Sequence, residues 1–348
     1  MPEPMERNLA LELVRVTEAA AMSAARWMGR GDKIAADQAA VDAMRTAMQT
    51  VDMDGIVVIG EGEKDEAPML YIGEEIGNGS PPQVDIAVDP VEGTTLLSHG
   101  LPNAIAVLAV VPRGSMNCPR EVVYMNKLAV GREAADAIDI TAPPRTNLKW
   151  IAKAKGCEIA DLTVVILDRP RHEDLIAECR TAGARIKLIT AGDVNAALET
   201  ALEDSGVDVL MGVGGAPEAV LSAAALKTLG GEIQCTLWPR NDAERQAALD
   251  AGHDLDKVYH IKDLVGEGDV LFAATGITDG DLLKGVHFFG GGATTESLVM
   301  RSYSGTVRWI SARHDLSTLE KIADPRHFQY DEARRPNRPA RAIQALPR

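Results

Sequence analysis

Apolar residues recur at helical spacing near the start of the chain. Leu9, Leu13, Val16, Ala20 and Trp27 form one stripe with Glu12, Arg15 and Glu18 off it, which predicts an amphipathic helix over residues 5–28. Gly29-Arg30-Gly31-Asp32 breaks that helix, and Asp32 is placed to cap a second one over residues 33–49. Val41, Met44 and Met48 mark its buried stripe, and one turn before Val41 that stripe carries an acid, Asp37. The pattern then changes to period two. Strands are predicted at 55–59, 84–89, 103–111 and 122–130, the last carrying Tyr124 and Lys127. Pro90 is expected to stop the second of these, because proline lacks the amide a sheet interior uses. Beyond Pro143-Pro144, strands at 162–167, 185–189 and 207–211 alternate with helices at 173–182, 193–203 and 218–229, the rhythm of an α/β unit with a mostly parallel sheet. Two further strands are predicted at 270–274 and 297–301. The chain thus divides into an α+β domain over 1–147, an α/β domain over 148–322 and a loose Arg- and Pro-rich tail over 323–348.

Composition narrows the function. The 348 residues are 46% hydrophobic, as expected of a soluble globular protein, and 36 basic against 51 acidic residues give a net charge of −15. That balance argues against nucleic acid as a partner, though an acidic protein binds phosphate where metals reverse the local charge. Four dispersed cysteines indicate neither a zinc knuckle nor a disulfide framework. Charged residues where a signal peptide would have its apolar core, and the lack of any spanning-length apolar run, point to a cytoplasmic protein without a membrane partner.

The candidate chemistry lies at strand ends. Asp89 and Glu92 follow the apolar run Ile86-Ala87-Val88, with Gly93 and Thr94 one turn on, and Glu61 follows strand 55–59 in a run of glycines and acids. Asp37 has two readings: an internal ion pair with Lys33 one turn earlier, or a metal ligand with a nearby cation. Loops 168–172, 190–193 and 212–218 fall at the C-terminal ends of predicted parallel strands, where α/β folds bind ligands. Arg169 and Arg171 are either phosphate clamps or surface ion-pair partners. The glycine-rich stretch before Glu218 carries Pro217 at the third glycine position of the dinucleotide fingerprint, which argues against a Rossmann cofactor. Asp37, Glu61, Asp89, Glu92 and Glu218 make an all-oxygen set that suits Mg²⁺ or Mn²⁺.

Four stretches in order, Gly29 to Lys33 with Asp37, Ile59 to Tyr71, Asp89-Pro90-Val91-Glu92-Gly93-Thr94 and Gly214 to Glu218, resemble the GlpX-type class II fructose-1,6-bisphosphatase family from about residue 6 to 313. The Asp-Pro-x-Glu-Gly-Thr pattern is also similar to that of the wider lithium-sensitive phosphatase superfamily. The resemblance implies a two-domain layered α-β-α-β-α sandwich and hydrolysis of the 1-phosphate of fructose 1,6-bisphosphate, with sedoheptulose 1,7-bisphosphate as a further substrate of some members. It implies metal ligands Asp37, Glu61, Asp89, Glu92 and Glu218, and substrate contacts from Glu92, Gly93, Thr94, Tyr124, Arg169, Pro170, Arg171, Ala191, Gly192, Asp193 and Gly215. Lys33, Glu63, Asp65 and Thr94 match positions important for turnover, and a homo-oligomer is expected. Two positions depart from the family pattern, Ala191 in place of an acid and Thr95 after the motif threonine; both bear on substrate choice. An inositol or nucleotide monophosphatase and a non-catalytic sugar-phosphate binder are the alternatives.

Overall fold

The computed structural model describes residues 8–62 and 69–317. In chain order it forms α1 (Leu9–Ala25), α2 (Lys33–Met48), β1 (Asp54–Ile59), β2 (Glu75–Ile76), β3 (Gln83–Glu92), α3 (Thr94–His99), β4 (Ile105–Pro112), β5 (Tyr124–Val130) and α4 (Pro144–Lys155). The chain continues through β6 (Thr163–Leu167), α5 (Glu173–Ala182), β7 (Arg185–Ile189), α6 (Asp193–Glu199), β8 (Val209–Gly215), α7 (Ala216–Leu229) and β9 (Glu232–Leu237). It closes with α8 (Asp242–Asp250), α9 (Ile261–Val265), β10 (Leu271–Gly276), β11 (His287–Phe289), β12 (Gly292–Arg301) and β13 (Thr306–Asp315). Asp32 caps α2 as expected, its Oδ1 accepting from the Ala35 amide at 3.0 Å.

Two sheets result. The larger runs β11-β12-β10-β4-β3-β1-β2, with β13 on the other edge of β12, and the smaller runs β7-β6-β8-β5-β9. Alternation along the central strands sends successive residues to opposite layers: Ile86, Val88, Leu108 and Val110 pack with α1 and α2, while Ala87, Val107, Ala109 and Val111 pack with α6, α7 and α9. On the smaller sheet Leu210 and Ala129 join that same middle layer, while Val209, Met211, Leu128 and Val130 face α4 and α5. The order is therefore helix pair, sheet, helices, sheet, helix pair, the layered α/β sandwich that the resemblance implies.

The sheets do not part at residue 148. β5 precedes that point yet pairs between β8 and β9, and β10 to β13 return to the larger sheet. The smaller sheet is also mixed: β6 is parallel to β7 and β8, whereas β5 runs antiparallel to both neighbours. Pro144 opens a helix, where its missing amide would be unpaired anyway. Residues 323–348 lie outside the described part.

Candidate active site

A bulge in β3 builds the acidic half of the site. Asp89 pairs with Val107 of β4 and Glu92 with Ile105, so three steps on β3 oppose two on β4. Residues three apart on a regular strand point to opposite faces; the extra residue at Pro90-Val91 returns both acids to one side. Pro90 therefore does not end the strand, as expected from its missing amide, but sits where a bulge has no use for that amide. β1 lies parallel to β3, with Ile59 beside Ala87, so their C-terminal ends come out together and bring Glu61 to Asp89.

The smaller sheet supplies the opposite wall. The parallel strands β6 and β7 end at Asp168-Arg169 and Thr190-Ala191, and β8 ends at Gly215; Tyr124, the first residue of antiparallel β5, pairs with Gly215 at that same end. The glycine-rich segment from Gly212 is strand rather than loop: β8 runs to Gly215 and α7 begins at the next residue. The reason is spatial. A Cβ on Gly214 would overlap the Asp193 carboxylate and lie 2.9 Å from Lys127 Nζ, and one on Gly215 would overlap the Glu218 carboxylate.

These walls enclose a cleft of about 630 Å³. It brings together Lys33, Asp37, Glu61, Asp89, Glu92, Gly93, Thr94, Tyr124, Arg169, Arg171, Ala191, Gly192, Asp193, Gly215 and Glu218, with Thr95. Pro170 does not line it and instead opens a 3-10 turn over Pro170–His172. Glu63 and Asp65 lie outside the described residues.

Asp89, Glu92 and Glu218 each offer an oxygen within 4.8 Å of the others. Burial, and then the neighbouring carboxylates, hold Asp89 and Glu92 well above the ordinary range, and burial also raises Glu218. Glu218 Oε2 is buried without a hydrogen-bond partner among the described residues. Glu92 Oε1 accepts from the Val194 amide at 2.9 Å, tying the bulge to the start of α6. Beside this triad, Glu61 and Asp37 share a hydrogen bond, and burial together with the Asp37 charge pushes Glu61 up to about 8. A proton between two facing carboxyls, and an orphaned buried carboxylate oxygen, are what an oxygen-ligated cation replaces; the residues fit Mg²⁺ or Mn²⁺. Lys33 does not pair with Asp37; its Nζ donates to Thr95 Oγ1 at 2.8 Å.

The basic wall is held by main-chain carbonyls. Arg169 donates to Asp168 O at 2.9 Å and Thr190 O at 2.5 Å, and Arg171 Nη2 to Val213 O at 2.8 Å, leaving further N–H groups of each guanidinium for an anion. Arg171 also lies 5.0 Å from the Tyr124 ring centroid. His172 locks the strand ends: Nδ1–H donates to Leu167 O and Nε2 accepts from the Val213 amide, both at 2.7 Å. That bonding needs a neutral ring, and burial, then Arg171 and Arg169, lower its pKa accordingly. Neither His172 nor Lys127 has a role that the sequence pattern assigns. Lys127 is buried and bonds Asp193 Oδ2 at 2.6 Å; the signal was a lysine inside the apolar run that ends in Leu128-Ala129-Val130.

A cleft between two sheets, lined by a cluster of buried acids and by two anchored arginines, fits a metal-dependent phosphatase. The chain belongs to the family described as bacterial fructose-1,6-bisphosphatase, glpX-encoded, which it matches over residues 7–314. It is 47% identical over 335 residues to the D-fructose 1,6-bisphosphatase class 2/sedoheptulose 1,7-bisphosphatase of Synechococcus sp. (strain JA-2-3B'a(2-13)), covering 89% of this chain and 96% of that protein. It is also 47% identical over 326 residues to fructose-1,6-bisphosphatase 1 class 2 of Escherichia coli (strain K12), covering 90% and 96% of the two chains.

Proposed function

We propose that this chain hydrolyses the 1-phosphate of fructose 1,6-bisphosphate, with sedoheptulose 1,7-bisphosphate as a second substrate. The observation that carries the reading is the acid triad, with Asp89 and Glu92 from β3 and Glu218 from the start of α7, in one cleft with two anchored arginines. A substrate with a phosphate at each end of a sugar would engage both the acid cluster and the arginines, whereas a monophosphate would leave one of them unused. The second substrate is favoured by the Synechococcus relative, whose name carries both activities.

Asp37, Glu61, Asp89, Glu92 and Glu218 would hold Mg²⁺ or Mn²⁺, which when bound neutralises phosphate oxygens and lowers the pKa of water. The chain's own residues do the rest. Arg169 and Arg171 take the distal phosphate, and Tyr124 offers its face to the sugar. Asp193, fixed by Lys127, accepts from a sugar hydroxyl. The Thr94 hydroxyl donates to Val91 O at 3.1 Å, which leaves its oxygen free to accept from the attacking water. Glu63 and Asp65 belong to this proposal through the resemblance alone. So does a homo-oligomer, while a cytoplasmic setting is proposed from the sequence; no helix among the described residues is long and apolar enough to cross a membrane.

Release of inorganic phosphate from both bisphosphates with added Mn²⁺ or Mg²⁺ tests the reading. Wild type is expected to turn over, and folded Asp89→Asn and Glu218→Gln proteins to lose more than about 100-fold in rate. Release from inositol or nucleotide monophosphates alone would overturn the substrate assignment. Wild-type rates in either variant would remove the metal site.

A further inference from the structure

Lys127 stands mid-sheet on β5, between β8 and β9, and is 2% exposed. A buried ammonium is several kcal/mol unfavourable unless it is paired, and its partner is Asp193 Oδ2 at 2.6 Å. Asp193 opens α6 on the cleft wall, and its charge reaches the triad, raising both Glu92 and Glu218. Yet the oxygens that converge are those of Asp89, Glu92 and Glu218; Asp193 is turned toward the lysine. Gly214 lets β8 pass against this pair, where any side chain would strike it. A further acid thus lies next to the Asp89–Glu92–Glu218 cluster, with one of its oxygens tied to an internal cation.

We propose that Lys127 is a positioning residue that withholds Asp193 from the metal centre, so that the carboxylates named above hold the metal and Asp193 serves the sugar. This rests on the metal reading given above. Two consequences separate it from a merely structural ion pair. Removing the ammonium both removes a repulsive charge beside the cation and frees a further carboxylate, so the metal binds tighter although the protein is damaged. Neutralising Asp193 as well returns the local charge to its starting value and with it the metal affinity.

The test is Mn²⁺ titration of chelator-stripped protein by calorimetry, with folding checked by circular dichroism. Lys127→Met is expected to bind Mn²⁺ about fivefold tighter than wild type, from the Coulomb term of one charge at partly screened short range. The Lys127→Met/Asp193→Asn protein is expected to return to within about twofold of wild type, with KM for fructose 1,6-bisphosphate still raised. Wild-type or weaker Mn²⁺ binding by folded Lys127→Met overturns the proposal. Should that variant not fold, Asp193→Asn is compared with the double variant, and equal affinities there overturn it. A wild-type protein that binds no Mn²⁺ removes the metal site itself, and the proposal with it.

Discussion

Gly214 shows how finely the site is fitted at the level of one atom. Its missing side chain is where the Asp193 carboxylate and the Lys127 ammonium meet, so even a methyl group must displace one of them. Gly214→Ala is expected to keep the fold and lower kcat/KM about 100-fold, the usual consequence of a displacement of roughly 1 Å near the chemistry. Circular dichroism and phosphate release check this, and near-normal kcat/KM would show that the pair can shift without loss. Residues of this kind were unevenly legible in the sequence. Asp89 and Glu92 stood out because acids at the end of an apolar run have few other uses. Lys127 and His172 were harder to see, because their partners, Asp193 for one and Leu167 and Val213 for the other, are brought in by pairing between strands distant in sequence.

Elements with their own periodicity were legible. The apolar stripes of α1 and α2 and the alternation of β6 to α7 follow from 3.6 and 2-residue repeats, and the structure has them within a few residues of expectation. What the repeats do not carry is which sheet a strand joins, so the placement of β5 and of β10 to β13 was invisible. β13 itself, half-exposed along its length, has too little apolar alternation to announce a strand. The α1 helix shows one way such elements are held in register. Thr17 Oγ1 lies 2.7 Å from Thr275 Oγ1, and Thr275 lies 2.8 Å from Ser297 Oγ, a buried hydroxyl chain from α1 through β10 to β12. Thr17→Val removes the end of the chain and keeps the shape, whereas Thr275→Val breaks it in the middle. Urea unfolding is expected to give a loss of about 1 kcal/mol for the first and about 2–3 for the second. Equal effects would mean that the hydroxyls do not act as a chain.

For the whole molecule, the cluster of acids is expected to make stability fall as pH rises, and a bound cation to oppose that fall. Glu61 ionises near 4.5 when unfolded but only at about 8 when folded, because of burial, the Asp37 charge and their hydrogen bond. Asp37, Asp89, Glu92 and Glu218 are raised in the same direction. A raised carboxyl pKa means that the folded state binds more protons, so its stabilising contribution is complete below about 4.5 and is lost as pH rises through about 8. His172 has the opposite sign: lowered in the folded state, it removes stability only as pH falls below its ordinary value of 6.5. Above 6.5 His172 no longer contributes, and up to about 8 the raised acids carry the dependence. In chelator-treated protein, Tm is expected to fall between pH 6.5 and 8.5. A cation takes the place of the protons, so its stabilisation grows as they leave. The rise in Tm on adding Mn²⁺ should accordingly be larger at pH 8 than at pH 6.5, and in Asp89→Asn the rise should be small at both. A Tm that climbs with pH in the stripped protein, or an increment from Mn²⁺ that is the same at both pH values, would show that these carboxyls are already ionised and apart, and that the cleft is not held together by the charge it is built to receive.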